Sequence, residues 1–178
     1  YIQTCLEDEI KDAAENLSIH GGDFNPELYS TFNNIKIKNL CYTATYCGLC
    51  TIQQPQLKPH LEREIKTEIE EKIASCFASL KSSYEKRGYD VTLKEGEKKV
   101  ELLPKRIVST LNYSLTLTKG GDTQKYDSFV VILNNNLYEL VSIANSILDW
   151  EASLGNSDIR AYMTLYPDLK VEKKLLGD

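Results

Sequence analysis

The 178-residue chain has little of the material that enzymes use for acid–base chemistry. It contains two histidines, His20 and His60, and neither has an evident serine or aspartate partner in the sequence. The G-x-S-x-G sequence of serine hydrolases and the G-x-x-x-x-G-K-[ST] phosphate loop are both absent. We therefore predict no catalytic residue and no cofactor.

A surplus of positive charge is also lacking. The chain has 21 Lys and Arg against 26 Asp and Glu, which gives a net charge of −5. Binding to a phosphate backbone needs a basic surface, so nucleic acid is not an expected partner. No run of apolar residues approaches the length that crosses a bilayer. The composition, 42% hydrophobic and 26% charged, is that of an ordinary globular protein, and we predict a single domain over 1–178.

Apolar residues recur every three or four positions in three segments, which predicts three helices, over 2–17, 61–84 and 137–148. The first is expected to end at His20-Gly21-Gly22, because glycine adopts the left-handed conformation that closes a helix. Gly88 and Gly155 end the other two in the same way. Trp150 lies near the end of the third helix.

The period changes to two after the second helix. Short strands are predicted over 89–94 and 98–103, around a turn at Glu95-Gly96, and over 111–118. The sequence KGGDT predicts a hairpin turn, with YDSFVVIL as the returning strand. Residues 160–171 resemble a last strand at a sheet edge, since Pro167 interrupts them. The predicted fold is α+β, an antiparallel sheet of four or five strands with about three helices packed on one face.

Residues 23–59 have no sustained period and form a long cysteine-containing loop in this interpretation. A loop of this length is unusual in a compact domain, so we expect a short strand near 34–38 or pinning by the cysteines. Tyr42 and Tyr46 flank the cysteines and form a candidate contact surface, because tyrosine offers contact area at low entropic cost. The alternative is that the tyrosines pack over the sheet.

The run CYTATYCGLC places Cys41, Cys47 and Cys50 within ten residues. Disulfides would require an oxidising compartment, and five cysteines allow at most two. Cys47 and Cys50 also have the C-x-x-C spacing of thiol–disulfide oxidoreductases, although TIQQPQLKP does not begin a helix after them. Zinc would find a permitted ligand set in the three cysteines and His60. Inert reduced thiols complete the alternatives.

Several segments resemble a group of uncharacterised archaeal proteins that have one N-terminal transmembrane helix and an extracytoplasmic domain. The resemblance rests on YIQTCLEDEIKDAAENL with the following Gly-Gly, PHLEREIKTEIEEKIASCFASLKSSYEKRGYDV, NYSLTLTKGGDTQKYDSFVV and YELVSIANSILDWE. It implies a disulfide between Cys5 and Cys76, and a membrane anchor just before Tyr1. The chain departs from the group at His20, where glutamine is more usual, and in the CYTATYCGLC cluster.

With that resemblance, the disulfide set becomes Cys5–Cys76 plus Cys41 with either Cys47 or Cys50, and one thiol remains. We expect an extracytoplasmic, membrane-tethered, non-catalytic structural or interaction module at the cell surface. Its partner would be a protein or another copy of the chain, and it would touch the membrane only through a segment preceding Tyr1. The alternatives are a pilin-like filament subunit and an oxidoreductase that uses Cys47 and Cys50.

Overall fold

A computed structural model describes residues 1–45 and 48–171. Over these ranges the chain forms five helices and ten strands in four antiparallel sheets. In chain order they are α1 Ile2–Ile19, β1 Tyr29–Phe32, β2 Ile35–Lys38, β3 Cys41–Tyr42, β4 Thr51–Ile52, α2 Leu57–Glu68, α3 Glu70–Lys86, β5 Asp90–Lys94, β6 Lys98–Leu103, β7 Arg106–Leu111, β8 Ser114–Lys119, β9 Asp122–Tyr126, β10 Phe129–Asn134, α4 Leu137–Leu154 and α5 Ile159–Leu165. The α+β class predicted from the sequence is confirmed.

Strands β5 to β10 are three long segments, each interrupted at the middle. One three-stranded sheet has the order β10-β7-β6 and the other has the order β5-β8-β9. The chain passes directly from β5 to β6, from β7 to β8 and from β9 to β10, so each segment contributes to both sheets. Two-residue turns join β6 to β7 and β8 to β9. The result is a meander of three strands that is broken across its whole width.

A one-residue slip in pairing accompanies this break. Lys94 lies opposite Ser114, whereas Lys98 lies opposite Leu111, so four steps along one segment match three along its neighbour. Such a bulge moves side chains to the opposite face, because they alternate along a strand. Val91 is buried before the break and Val100 after it, which changes the buried positions from odd to even.

Gly96 lies in this bulge, where the backbones of two adjacent segments approach each other closely. A Cβ atom on Gly96 would overlap the carbonyl oxygen of Asn112 on the adjacent segment. The backbone N–H of Asn112 donates to the carbonyl of Glu97 at 2.9 Å. Glycine is therefore required here for close approach of two backbones.

Helix α1 lies against β10 and α2 against β6 of the β10-β7-β6 sheet, whereas α3 lies against α1 and against β5 of the other sheet. Phe77 of α3 stacks on Tyr113 with ring centroids 3.9 Å apart and planes within 2° of parallel. A smaller cluster, Val91, Leu115 and Leu117, lies under the end of α3. The largest fully buried side chains are Phe77, Leu6, Ile10, Leu17, Leu61, Ile65, Ile69, Ile73, Leu102, Ile107, Leu111 and Leu117.

Side chains from two helices cover the outer edges of the β10-β7-β6 sheet. The side-chain amide of Gln3 donates to the carbonyl of Ile132 and accepts from its N–H, both at 3.0 Å. On the other edge, the carboxylate of Glu62 accepts the N–H of Leu102 at 2.8 Å. Each contact occupies backbone groups that would otherwise be open to pairing with another strand.

Two of the predicted elements were wrong in their details. The predicted helix over 61–84 is two helices, α2 and α3, which meet at Ile69 with φ −85° and ψ 0°. Residues 160–171 contain no strand; they begin with α5. The carboxylate of Asp158 accepts the N–H groups of Arg160 and Ala161, and this N-cap explains why a helix forms.

The prediction of a single sheet of four or five strands was also wrong. Residues 90–103 do not fold back at Glu95-Gly96, because β5 and β6 each pair with the middle segment, β7 and β8, rather than with each other. The helix count is five rather than about three in the described residues. The strand expected near 34–38 is present as β2.

Candidate functional site

Two disulfides organise the described part of the chain. Cys5 of α1 is bonded to Cys76 of α3 with a Cα–Cα distance of 6.1 Å, which is the pair that the family resemblance implied. Cys41 is bonded to Cys50, with Cα atoms 5.4 Å apart, across the ends of β3 and β4. Disulfide bonding is thus confirmed. Two such bonds are typical of proteins outside the reducing cytoplasm.

These bonds bear on the other two chemistries considered for the cysteines. A zinc ion needs thiolates, and Cys41 and Cys50 use their sulfurs for each other. An oxidoreductase pair would join Cys50 to Cys47, whereas Cys50 is bonded to Cys41. Cys47 and Tyr46 lie outside the described residues. Across residues 1–45 and 48–171, no three potential metal ligands among His, Cys, Asp and Glu come together.

The structure shows the surroundings of both histidines and of Tyr42. His20 ends α1, and its Nδ1–H donates to the carbonyl of Asn16 at 2.9 Å. His60 is on α2, and its Nε2 atom is buried without a hydrogen-bond partner in the described part of the chain. Tyr42 is on β3 with 44% of its surface exposed, so it does not pack over a sheet. The β3–β4 hairpin itself rests on α4.

The β1–β2 hairpin, residues 29–38, is the most exposed element of the 23–59 segment. Its turn is Asn33-Asn34, with φ of 49° and 64°. Two successive positive φ angles define the type I′ turn, which matches the twist of paired strands and suits asparagine. Strand β1 is exposed along its whole length, and no residue of the hairpin belongs to the hydrophobic core.

Apolar side chains crowd this exposed hairpin. Phe32 and Ile35 face each other beside the turn and are 42% and 36% exposed. Tyr29 is 41% exposed, and the ammonium group of Lys36 lies 4.4 Å from the centroid of its ring. The hairpin contains two lysines and no acidic residue, although the chain as a whole is acidic. Its surface therefore carries apolar side chains beside the turn and the ammonium group of Lys36 on β2.

The base of the hairpin is firmly attached to the domain through Lys38. Its N–H donates to the carbonyl of His20 at 2.9 Å, and its ammonium donates to Asp23 at 3.1 Å and Gln54 at 3.2 Å. A Cβ atom on Gly21 would lie 3.1 Å from the backbone N and O of Lys38. These contacts fix the point at which the hairpin leaves the domain.

The electrostatics of Asp23 agree with this attachment. Burial raises the pKa of Asp23, but the hydrogen bonds from Lys38 and from the N–H of Asn25, together with the charge of Lys38, outweigh it and leave the pKa below its ordinary value. The ion pair is therefore formed at neutral pH, with side-chain exposures of 14% for Lys38 and 25% for Asp23.

An apolar cavity of about 230 Å³ lies behind the same region, between the end of α1, the start of α2 and the first half of α4. No charged side chain lines it. Its lining residues are Leu17, Ser18, Gly21, Gly22, Leu40, Leu57, Leu61, Leu137, Leu140, Val141 and Ala144. It contains no group that would carry out a reaction.

Comparison with known proteins finds no match among protein families, curated proteins or solved structures. In the described residues, no helix is both long enough and apolar enough to cross a membrane. The interpretation of function therefore depends on the site itself.

The sequence contains a signal for the whole exposed hairpin, of which only the strand near 34–38 was predicted. Two successive asparagines, which tolerate the positive φ of a tight hairpin turn, directly precede the alternating segment Ile35–Lys38. What no sequence pattern revealed is that strand β1 is exposed along its whole length.

Proposed function

We propose that this domain is an extracytoplasmic protein-interaction module that contacts its partner through the β1–β2 hairpin. One observation carries the proposal: the hairpin is anchored at its base through Lys38, yet contributes nothing to the core and exposes Phe32 and Ile35 at its tip. A two-stranded hairpin has little stability of its own. Its exposed aromatic and aliphatic tip is best explained by contact with another surface.

The chemistry of the hairpin indicates the kind of partner. Aromatic side chains dominate the energy of protein interfaces when they enter a pocket. Lys36 adds positive charge beside them, since β2 carries no acidic residue. We therefore expect a protein with an apolar depression bordered by acidic side chains. Tyr42, whose side chain is 44% exposed, offers a second contact on the 23–59 segment.

The location outside the cytoplasm is supported by the two disulfides. Tethering to a membrane through a segment preceding Tyr1 stays a prediction from the family resemblance. Assembly into a pilin-like filament and thiol–disulfide exchange through Cys47 and Cys50 also stay predictions. Electron microscopy of full-length protein tests filament assembly, and an insulin-reduction assay tests thiol–disulfide exchange.

Site-specific photo-crosslinking in intact cells tests the proposed contact. A photoreactive phenylalanine analogue replaces Phe32 in one variant and Val130 in a matched control, since Val130 is similarly exposed, at 52%, on the sheet. We expect a discrete covalent complex from position 32 and none from position 130. The substitution Lys36→Glu should suppress the complex while leaving the unfolding free energy within about 0.5 kcal/mol of the original.

Two outcomes would contradict the proposal. Crosslinks of equal yield from positions 32 and 130 would mean that the hairpin is not a specific contact. A complex that survives Lys36→Glu and Ile35→Ser but disappears with Tyr42→Ser would transfer the contact to the disulfide-closed β3–β4 hairpin.

A further inference from the structure

A groove between α4 and α5 remains outside the function proposed above. On α4, its wall is formed by Tyr138, Ser142, Ser146 and Trp150, which recur every four residues. Each step of four residues turns by about 40° around the helix axis, so Tyr138 and Trp150 border separate hollows. The groove consists of two adjoining hollows, of about 310 and 340 Å³, and the side chain of Tyr162 on α5 borders both.

The lining of this groove alternates aromatic rings with polar groups. Tyr138 and Tyr166 border the first hollow, Trp150 borders the second, and Trp150 and Tyr166 are 50% and 48% exposed. The hydroxyls of Ser146 and Tyr162 are 2.7 Å apart, and this bond holds the Tyr162 ring between the hollows. The position of the Tyr162 ring is therefore set by α4.

The polar groups of the groove are hydroxyls, an amide and carboxylates. Asn156 and Asp158 line the second hollow, and Glu139 lines the first together with the two serines. One carboxylate oxygen of Glu139 accepts the N–H of Lys105 at 2.9 Å, so its position is set by the backbone. No lysine or arginine lines either hollow. The groove thus offers no countercharge for an anionic ligand.

We propose that this groove binds a neutral oligosaccharide. The apolar faces of sugar rings pack on exposed aromatic rings, and sugar hydroxyls bond to serine, tyrosine, amide and carboxylate groups, which is the combination found here. Two hollows on either side of Tyr162 give room for more than one sugar ring. Neither hollow is lined by a residue of the β1–β2 hairpin, so the site does not depend on the protein contact.

Trp150 is the chain's only tryptophan, which makes its fluorescence a direct reporter of the groove. The purified domain is titrated with four neutral tetrasaccharides: cellotetraose, maltotetraose, mannotetraose and N-acetylchitotetraose. We expect at least one to produce a saturable blue shift of Trp150 emission, with a Kd of about 1 mM or tighter. Isothermal calorimetry should give the same Kd.

Two variants distinguish a groove ligand from unspecific effects. Tyr162→Phe keeps the ring but removes the hydroxyl that bonds Ser146, and should weaken binding about five-fold. Leu154→Ala is the matched control, because Leu154 is on the same helix, is 64% exposed and lines neither hollow. It should leave the Kd unchanged, and circular dichroism confirms that both variants are folded.

The proposal is overturned if none of the four sugars changes either the fluorescence or the calorimetric signal. It is also overturned if Leu154→Ala and Tyr162→Phe weaken binding equally. A blue shift that grows with protein concentration in the absence of sugar would instead identify the groove as a contact between copies of the chain.

Discussion

The two disulfides should differ in their contribution to stability, because they close loops of very different length. Cys5 and Cys76 are separated by 71 residues, and Cys41 and Cys50 by nine. A crosslink restricts the unfolded chain more when the loop it closes is longer. We compare the double variants C5A/C76A and C41A/C50A with the unaltered chain.

The magnitude follows from the loop-entropy relation. At 25 °C, closing the longer loop stabilises the folded state by about 4 kcal/mol and closing the shorter one by about 2.5 kcal/mol. Cys76 is also almost fully buried, at 1% exposure, so its replacement removes packed atoms from the core. The C5A/C76A variant should therefore lose at least about 1.5 kcal/mol more than C41A/C50A.

Urea unfolding followed by far-ultraviolet circular dichroism measures both losses. The difference between the variants is the informative quantity, since errors of extrapolation are largely shared. The urea dependence of the unfolding free energy should also rise in both variants, because an uncrosslinked chain exposes more surface on unfolding. Equal losses within about 0.5 kcal/mol, or a larger loss for C41A/C50A, would refute the loop-length argument.

Two further predictions concern the broken meander. Gly96→Ala should destabilise the domain by about 3 kcal/mol or more, because the added Cβ overlaps the carbonyl of Asn112. Urea unfolding measures this loss of unfolding free energy. A loss below about 1 kcal/mol would mean that the bulge relaxes freely. Lys98 bonds Glu70 at 2.8 Å and also bonds Glu95, and these hydrogen bonds lower the pKa of both carboxyls from 4.5. Their contribution is therefore present above about pH 4.5 and is lost as the pH falls through the lowered values. The stability difference between the unaltered chain and Lys98→Met should shrink between pH 7 and pH 3, and a difference independent of pH would contradict it.

The helices show how far local patterns reach. Helices α1 and α4 were predicted because their apolar residues recur every three or four positions and because Gly21 and Gly155 adopt positive φ where each helix ends. Helix α5 was not predicted, because its seven residues are too few to show a period and none of them is buried. Asp158 was not recognised as an N-cap from the sequence, where Pro167 favoured an edge strand over 160–171.

The candidate sites divide in the same way. Tyr42 was a candidate contact residue in the sequence, with packing over a sheet as the alternative, and its side chain is 44% exposed. The hairpin tip at Phe32 and Ile35 was not a candidate, because a short alternating segment has the same sequence whether its faces are covered or open. The groove around Trp150 depends on where α5 returns along α4, and no local pattern reports that.

By itself, the amino-acid sequence determined the mixed α+β class, the positions of α1 and α4, and the turn at Gly120-Gly121, because these depend on periodicity and on backbone conformations within a few residues. Only the tertiary structure decided which strands pair and which cysteines join in the 41–50 loop. Residues 90–103 read locally as a hairpin, yet a one-residue bulge beside Asn112 keeps them extended through two sheets. Pairing is settled by contacts between residues distant in the chain, and such contacts leave no local periodic signal.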